Sequence, residues 1–280
     1  MRDNSKRFGA GAEAPPQAHE ETEKPTLDFS VPTEIVDLPS KGRFYPPNHP
    51  LCGADTIEIR FMTAKDEDIL TSPSLLKKGI AIDRFITNIL VDKRIPVSSL
   101  LTGDKNAILI SSRINGFGSD YTTKITCQNC AKVSENTFDL TAVEAYHGDD
   151  WGDLDITQTD RGSFMVRLPR TKFEVEFRPL TGREEGELVA KIQANKRSRV
   201  YETNLTDQLR KIIVSVNGVE NLQTISQAIN VLPAFDSRYL RKAYQKAVPG
   251  LDMTQHFACP SCGFEKEVDI PLTVDFFWSK

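Results

Sequence analysis

Two short stretches carry the residues best suited to chemistry: "KITCQNCAKVSENTFDL", with Cys127 and Cys130, and "HFACPSCGFEKEVDIPL", with Cys259 and Cys262. Each is a C-x-x-C pair, and together they use four of the five cysteines. A two-residue spacer lets both sulfurs of one tight turn reach a single ion, and two such turns complete the tetrahedron of thiolates that Zn²⁺ favours. The spacing predicts a structural Cys₄ zinc site, with zinc as cofactor and Cys127, Cys130, Cys259 and Cys262 as ligands. Iron would accept the same four sulfurs. Turns contributed by two chains would also satisfy the count, which leaves a metal-linked homodimer open. The long separation of the pairs is no obstacle. Loop closure costs only about 0.6 kcal/mol per doubling of length, whereas structural zinc contributes on the order of 10–16 kcal/mol in small peptides.

The redox alternative is weaker. A thioredoxin-type C-P-x-C opens a helix whose dipole lowers the thiol pKa, but here Gly263 and strand-like residues follow. His256 is a substitute ligand by proximity, yet alternation assigns it as a strand side chain. Cys52 stands alone in a loop-like "NHPLCGAD" and is read as incidental.

Each pair must be positioned by a hairpin. Tyr121, Thr123 and Ile125 alternate before the first pair, and Phe138 and Leu140 follow it. Thr254, His256 and Ala258 precede the second, and Val268, Ile270 and Leu272 follow. Period-two alternation around a tight turn reads as a β-hairpin.

The matching turns end a longer echo. "TIEIRFMTAKDEDIL" (56–70) parallels "EVEFRPLTGREEGEL" (174–188), and "LLTGDKNAILISSRI" (100–114) aligns with "LPAFDSRYLRKAYQK" (232–246). The second alignment places Asp104 on Asp236 at the offset that places Cys127 on Cys259. "KGRFY" (41–45) also resembles "RGSFM" (161–165). A repeat this long is a duplicated domain-sized unit and not a solenoid period.

Within each half a hairpin is expected first, in "RFYPPNHPLCGADTIEIRF" (43–61) and "SFMVRLPRTKFEVEF" (163–177). A helix then starts at Thr63 or Thr181, where T-A-K-D and T-G-R-E read as capping boxes. The carboxylates Asp66, Glu67, Glu184 and Glu185 are thereby assigned to capping and the helix dipole, and not to acid–base catalysis. Helices with one apolar face follow, through Ile82, Phe85, Ile86, Ile89 and Leu90, and through Leu205, Leu209, Ile212, Ile213 and Val216. A third helix lies around 106–114 and 237–247, and the second half has an extra amphipathic stretch near "LQTISQAINVL".

The expected fold class is α+β: internally duplicated, mostly helical units with short β-hairpins, the two halves joined by the zinc-ribbon-like Cys₄ site. The expected organisation is a disordered arm over 1–30, a first unit over 31–145, a connector over 146–162 and a second unit over 163–280.

Composition excludes several functions. A net charge of −4 argues against a dominant phosphate-binding face. The patch Lys191, Lys196, Arg197 and Arg199 reads as a solvated helix end. No apolar run approaches the roughly 20 residues of a membrane helix, and the first residues lack the apolar stretch of a secretory signal. A cytosolic origin is expected. "LTGDKNA" lacks the Gly-Lys-Ser/Thr end of a P-loop, and "RINGFGSD" has too few glycines for a dinucleotide fingerprint. His19, His49, His147 and His256 neighbour no nucleophile motif. No catalytic residue and no small-molecule substrate is expected.

"VDLPSKGRFYP", "IEIRFMTAKDEDIL", "LLKKGIAIDRFITNILVD", "LLTGDKNAILISSRINGFGSDY" and the cysteine hairpin follow one another in this order. In this the chain resembles the baseplate hub assembly proteins of T-even-type contractile-tailed bacteriophages, over most of 31–145 and, through the repeat, toward 280. The resemblance implies a non-enzymatic viral protein made in the host bacterial cytoplasm. Such a protein helps build the hub of the tail baseplate, has other baseplate or hub proteins as partners, and ends in the virion or leaves as an assembly factor. The zinc turns are read from the residues and not from the resemblance. The alternative reading is a nucleic-acid-binding zinc ribbon, with Lys124, Lys132, Lys266 and Phe264 near the turns; the acidic balance opposes it.

Overall fold

Pro46, Pro47 and Pro50 deny the stretch after Gly42 the amide donors a strand ladder needs. In the computed structural model, which describes residues 30–198, 204–270 and 274–277, that stretch runs as turns. Strand β1 (Thr33–Asp37) pairs antiparallel with β2 (Thr56–Arg60), Val36 opposite Ile57. This corrects the hairpin expected within 43–61, because the leading strand is the upstream alternation TEIVD. It also corrects the pairing of KGRFY with RGSFM, since 41–45 lie in turns whereas Phe164 and Met165 lie in a strand.

Three helices follow: α1 (Ala64–Thr71), α2 (Pro73–Lys78) and α3 (Ala81–Ile89). The α3 helix buries Phe85, Ile86 and Ile89, and Leu90 after it bridges antiparallel to Ile59 of β2. The long α4 (Thr102–Phe117) leads into the first cysteine hairpin, β3 (Asp120–Thr126) and β4 (Val133–Asp139), and then β5 (Glu144–Tyr146).

Residues 146–162 supply a strand, β6 (Ile156–Gln158), with Ile156 buried. It pairs with β7 (Phe164–Arg167), β7 with β8 (Glu174–Phe177), and β8 with a later strand, β9, in a four-stranded antiparallel sheet. Between β8 and β9 (Ile213–Val216) come α5 (Gly182–Ser198) and α6 (Asn204–Ile212). This corrects the helix expected through Val216, because the β-branched pair Ile213 and Val214 leaves the helix for a strand that pairs with β8. Next are α7 (Leu222–Val231), which is the extra amphipathic stretch, and α8 (Ala234–Ala247). Strand β10 (Gly250–Asp252) pairs back to β5, and β11 (Thr254–Ala258) with β12 (Glu265–Asp269) forms the second cysteine hairpin. The architecture is α+β, with strands mostly in hairpins and helices packed between them.

Two clusters of buried side chains organise these elements. One is built on Ile57, Ile59, Phe85, Ile86 and Ile108, the other on Phe164, Val175, Phe177, Leu209 and Leu240. The last described turn, Val274–Phe277, belongs to the first: Phe276 packs edge-on to Tyr121 at 5.1 Å and Phe277 to Phe85 at 5.3 Å. The buried Arg113 donates from Nε to the Phe276 carbonyl at 3.1 Å and from its terminal nitrogens to the carbonyls of Gly118 and Asp120. The chain thus closes its first core with its own far end.

The arm expected over 1–30 lies, apart from Ser30, outside the described residues. Among the described residues no helix is long and apolar enough to cross a membrane.

Candidate metal centre

Each cysteine pair sits at the tip of an antiparallel hairpin, with Thr126 opposite Val133 in one and Ala258 opposite Glu265 in the other. The same two backbone bonds shape both tips. The Cys127 amide donates to the Lys132 carbonyl at 2.9 Å, and the Ala131 amide to the Cys127 carbonyl at 2.9 Å. In the second turn the Cys259 amide donates to the Phe264 carbonyl at 2.8 Å, and the Gly263 amide to the Cys259 carbonyl at 2.9 Å. Ala131 (φ 57°) and Gly263 (φ 68°) hold the same left-handed position.

The two tips meet. Cys127 Sγ lies 3.8 Å from Cys262 Sγ, and Cys130 Sγ lies 3.8 Å from Cys259 Sγ. All four sulfurs lie within 4.8 Å of one another. A tetrahedron with Zn–S bonds of about 2.3 Å has edges of about 3.8 Å, whereas a disulfide needs about 2.05 Å. The donor set therefore fits a four-thiolate ion. Interchanging the hairpins carries one 3.8 Å contact onto the other, so the tips meet with local two-fold character. All four sulfurs come from one chain, and sharing the ion between chains is not required.

Cys127 and Cys259 are buried, Cys130 is half-buried and Cys262 exposed. Phe257, Ile125, Phe264 and Val268 form the apolar bed beneath them. The Phe264 amide and then the Asn129 side-chain amide, 3.7 Å away, pull the Cys262 thiol down to about 6. For Cys130 the Lys132 amide acts downward, but desolvation and the neighbouring thiols prevail and raise it to about 11. Bound metal would require all four sulfurs as thiolates, and its uptake would release their protons. A cage using all four positions leaves none open for substrate or water.

The hairpins are also joined away from the sulfurs. Lys266 Nζ donates to Gln128 Oε1 at 2.9 Å, Gln255 Nε2 to the Asp139 carbonyl at 2.6 Å, and β5 pairs with β10. The glycine of "LTGDKNA" has a packing role. A Cβ on Gly103 would stand 2.5 Å from the Pro249 carbonyl, so only glycine lets α4 approach the chain entering β10 this closely.

His256 stands outside the sulfur cluster, with Nδ1 3.6 Å from Glu267 across the strand pair. Cys52 is exposed in a turn. Asp66 closes a bidentate pair with Arg60 (2.7 and 2.8 Å), and also accepts from the Thr63 amide, the Thr63 hydroxyl and Asn88. Burial alone would raise its pKa, but these partners win and hold it near about 2. Glu184 repeats the arrangement with Arg178 and Thr181. Neither carboxylate is available as a general acid or base.

His49 Nε2 lies 2.8 Å from Ser99 Oγ, a contact between distant residues that no local motif marks. It is no catalytic dyad. The Leu51 amide donates to Nδ1 at 3.1 Å, so the neutral ring carries its proton on Nε2 and gives it to Ser99, which itself donates to the Pro96 carbonyl. Burial lowers the pKa of His49 and favours that neutral form.

Sequence comparison also gave no role to Asp104 and Asp236. Both are buried in the first turn of their helices, α4 and α8. Asp104 accepts from the Ser40 amide and hydroxyl and from the Tyr45 hydroxyl, at 3.0, 2.6 and 2.7 Å. Asp236 accepts from the Arg170 amide, the Thr171 amide and the Thr171 hydroxyl, at 2.9, 2.7 and 2.7 Å. The echo of V-D-L-P-S in V-R-L-P-R-T, just before these contacts, was the available signal.

Of the basic residues near the tips, Lys124 lies 3.9 Å from Glu135 and Lys266 bonds Gln128. Lys191 of the helix-end patch pairs with Asp207 at 2.7 Å, and the side chains at 196–199 lie outside the described residues.

Compared with known proteins, residues 31–278 match the model of a family described as T4 bacteriophage base plate protein. No curated protein and no solved structure matches the chain.

Proposed function

The chain belongs to the T4 bacteriophage base plate protein family, and from that premise we propose a non-enzymatic hub protein or hub assembly factor that binds other tail subunits and is stabilised by one structural zinc. The observation that carries this reading is the four-thiol cage, which has no open position and ties two hairpins from distant parts of the chain. Rigidity suits a scaffold, and the candidate acid–base groups are spent on helix caps. The protein acts in the host bacterial cytoplasm during assembly and then in the tail baseplate of the virion. The nucleic-acid reading is opposed by the net charge of −4 and by Lys124 and Lys266 facing Glu135 and Gln128.

The scaffold is a duplicated unit, 31–145 and 163–280, flanking a connector over 146–162, with an arm over 1–30. Support comes from features that recur in order. The β1–β2 and β7–β8 hairpins are joined through an L-P turn with Lys41 or Lys172 at positive φ. An Arg–carboxylate box then opens α1 or α5. The α3 and α6 helices each feed a β contact on the hairpin's second strand, Ile59 with Leu90 and Phe177 with Ile213. The α4 and α8 helices each bury an Asp that binds the L-P turn, and a cysteine hairpin ends each unit.

Co-expression with tail proteins tests the function. Stable co-purification with a baseplate subunit, lost when Cys259 and Cys262 are both replaced by Ser, is the expected result. Failure of the intact chain to associate with any tail protein overturns it.

A further inference from the structure

The outward face of α8 is chemically unlike the rest of this acidic chain. Phe235 is 56% exposed, and the Arg170 guanidinium lies over its ring at 5.2 Å. An open groove runs along the helix, lined by Phe235, Arg238, Tyr239, Arg241, Lys242 and Gln245. Among the described residues, Arg238, Arg241 and Lys242 have no ion-pair partner. They stand three and four positions apart on one helix face, where like charges repel and destabilise the helix. A large exposed aromatic ringed by unpaired cations is the composition of an interface centre and not of a solvated surface.

The duplicated register sharpens the point. The positions of α4 that correspond to Phe235, Lys242 and Gln245 are Gly103, Ile110 and Arg113, and all three are covered. Gly103 abuts Pro249, and Arg113 lies under Phe276. In the first unit this helix face receives a strand of chain. In the second unit it is open.

We propose that the α8 face docks a short acidic segment of another tail protein, with an apolar side chain seated on Phe235 and carboxylates facing Arg238, Arg241 and Lys242. This rests on the baseplate reading above. Charge complementarity selects an anion, and the exposed ring selects one with apolar side chains. A nucleic acid fits less well. Tyr239 accepts a hydrogen bond from the Asp155 amide at 3.3 Å, so the loop before β6 borders one side of the groove. A phosphate backbone, with a charge about every 3.4 Å along each strand, would continue past the three cations onto that loop, whereas a short segment spans the groove alone.

The test replaces Phe235 with the photo-crosslinker p-benzoylphenylalanine in the full chain, in cells making the other tail proteins, and sequences what is captured. The expected product is one tail-protein segment of net negative charge. Its yield falls roughly tenfold or more when R238E, R241E and K242E are added, with unchanged thermal unfolding. Capture of a second copy of this chain, capture of nucleic acid, or capture of nothing overturns the proposal. If the chain still co-purifies with baseplate subunits while Phe235 captures nothing, the docking face falls and the baseplate reading stands. If co-purification fails as well, the baseplate reading falls too.

Discussion

Ala131 and Gly263 occupy one position in the two cysteine turns, both left-handed, and only one of them is the residue that position prefers. A side chain there costs about 1 kcal/mol or slightly more. Ala131→Gly should therefore stabilise the protein and Gly263→Ala destabilise it, each by about 1 kcal/mol in denaturant titration. Equal behaviour of the two variants would contradict the matched turns. Asp66 gives a second residue-scale prediction. Its side chain is fully buried and its pKa falls to about 2, below the roughly 3.9 of an unfolded aspartate. A depressed folded pKa stabilises above the unfolded value and ceases to do so as pH drops through the folded one. Asp66→Asn should cost about 2 kcal/mol at neutral pH, and the gap from the parent should close as pH falls from about 4 toward 2.

At the scale of elements, the last turn and the hairpins depend on distant parts of the chain. Phe276 fills the first core against Tyr121 and Phe277, so Phe276→Ala should cost about 3 kcal/mol or more. Hydrogen exchange should show the loss in α4 and α3. Exchange confined to residues 274–277 would mean that the turn does not help hold that core. Stripping the metal with a strong chelator should expose the amides of β3, β4, β11 and β12 while the β6–β9 sheet stays protected. The hairpins were legible beforehand because alternation around C-x-x-C is a local signal, and the capping boxes because T-x-x-D/E is one too. The partner of β2 was not. Between Asp37 and Thr56 the chain makes a long, proline-bearing excursion, and no periodicity in that excursion says which earlier strand closes the pair. The return of Phe276 and Phe277 to the first core was equally hidden, since a tertiary contact leaves no repeat in the sequence.

For the whole molecule, the sulfurs predicted to meet do meet, although more than a hundred residues separate the pairs. What the sequence could not convey is how closely the second hairpin is tied to the first core. The second hairpin follows the second core in sequence, yet β10 pairs with β5, α4 packs on the chain entering β10, and Ile270 joins the first core. An ion held at the hairpin tips would therefore tie the second hairpin to the first core, and its loss should loosen that junction and leave the β6–β9 sheet intact. The most direct test is X-ray absorption at the zinc edge, with metal counting, on the chain purified without chelator. The account predicts one zinc per chain in a shell of four sulfurs at about 2.3 Å, abolished by Cys127→Ser with Cys262→Ser. Metal-free protein, or an ion whose shell includes nitrogen or oxygen in place of any of the four sulfurs, would contradict it.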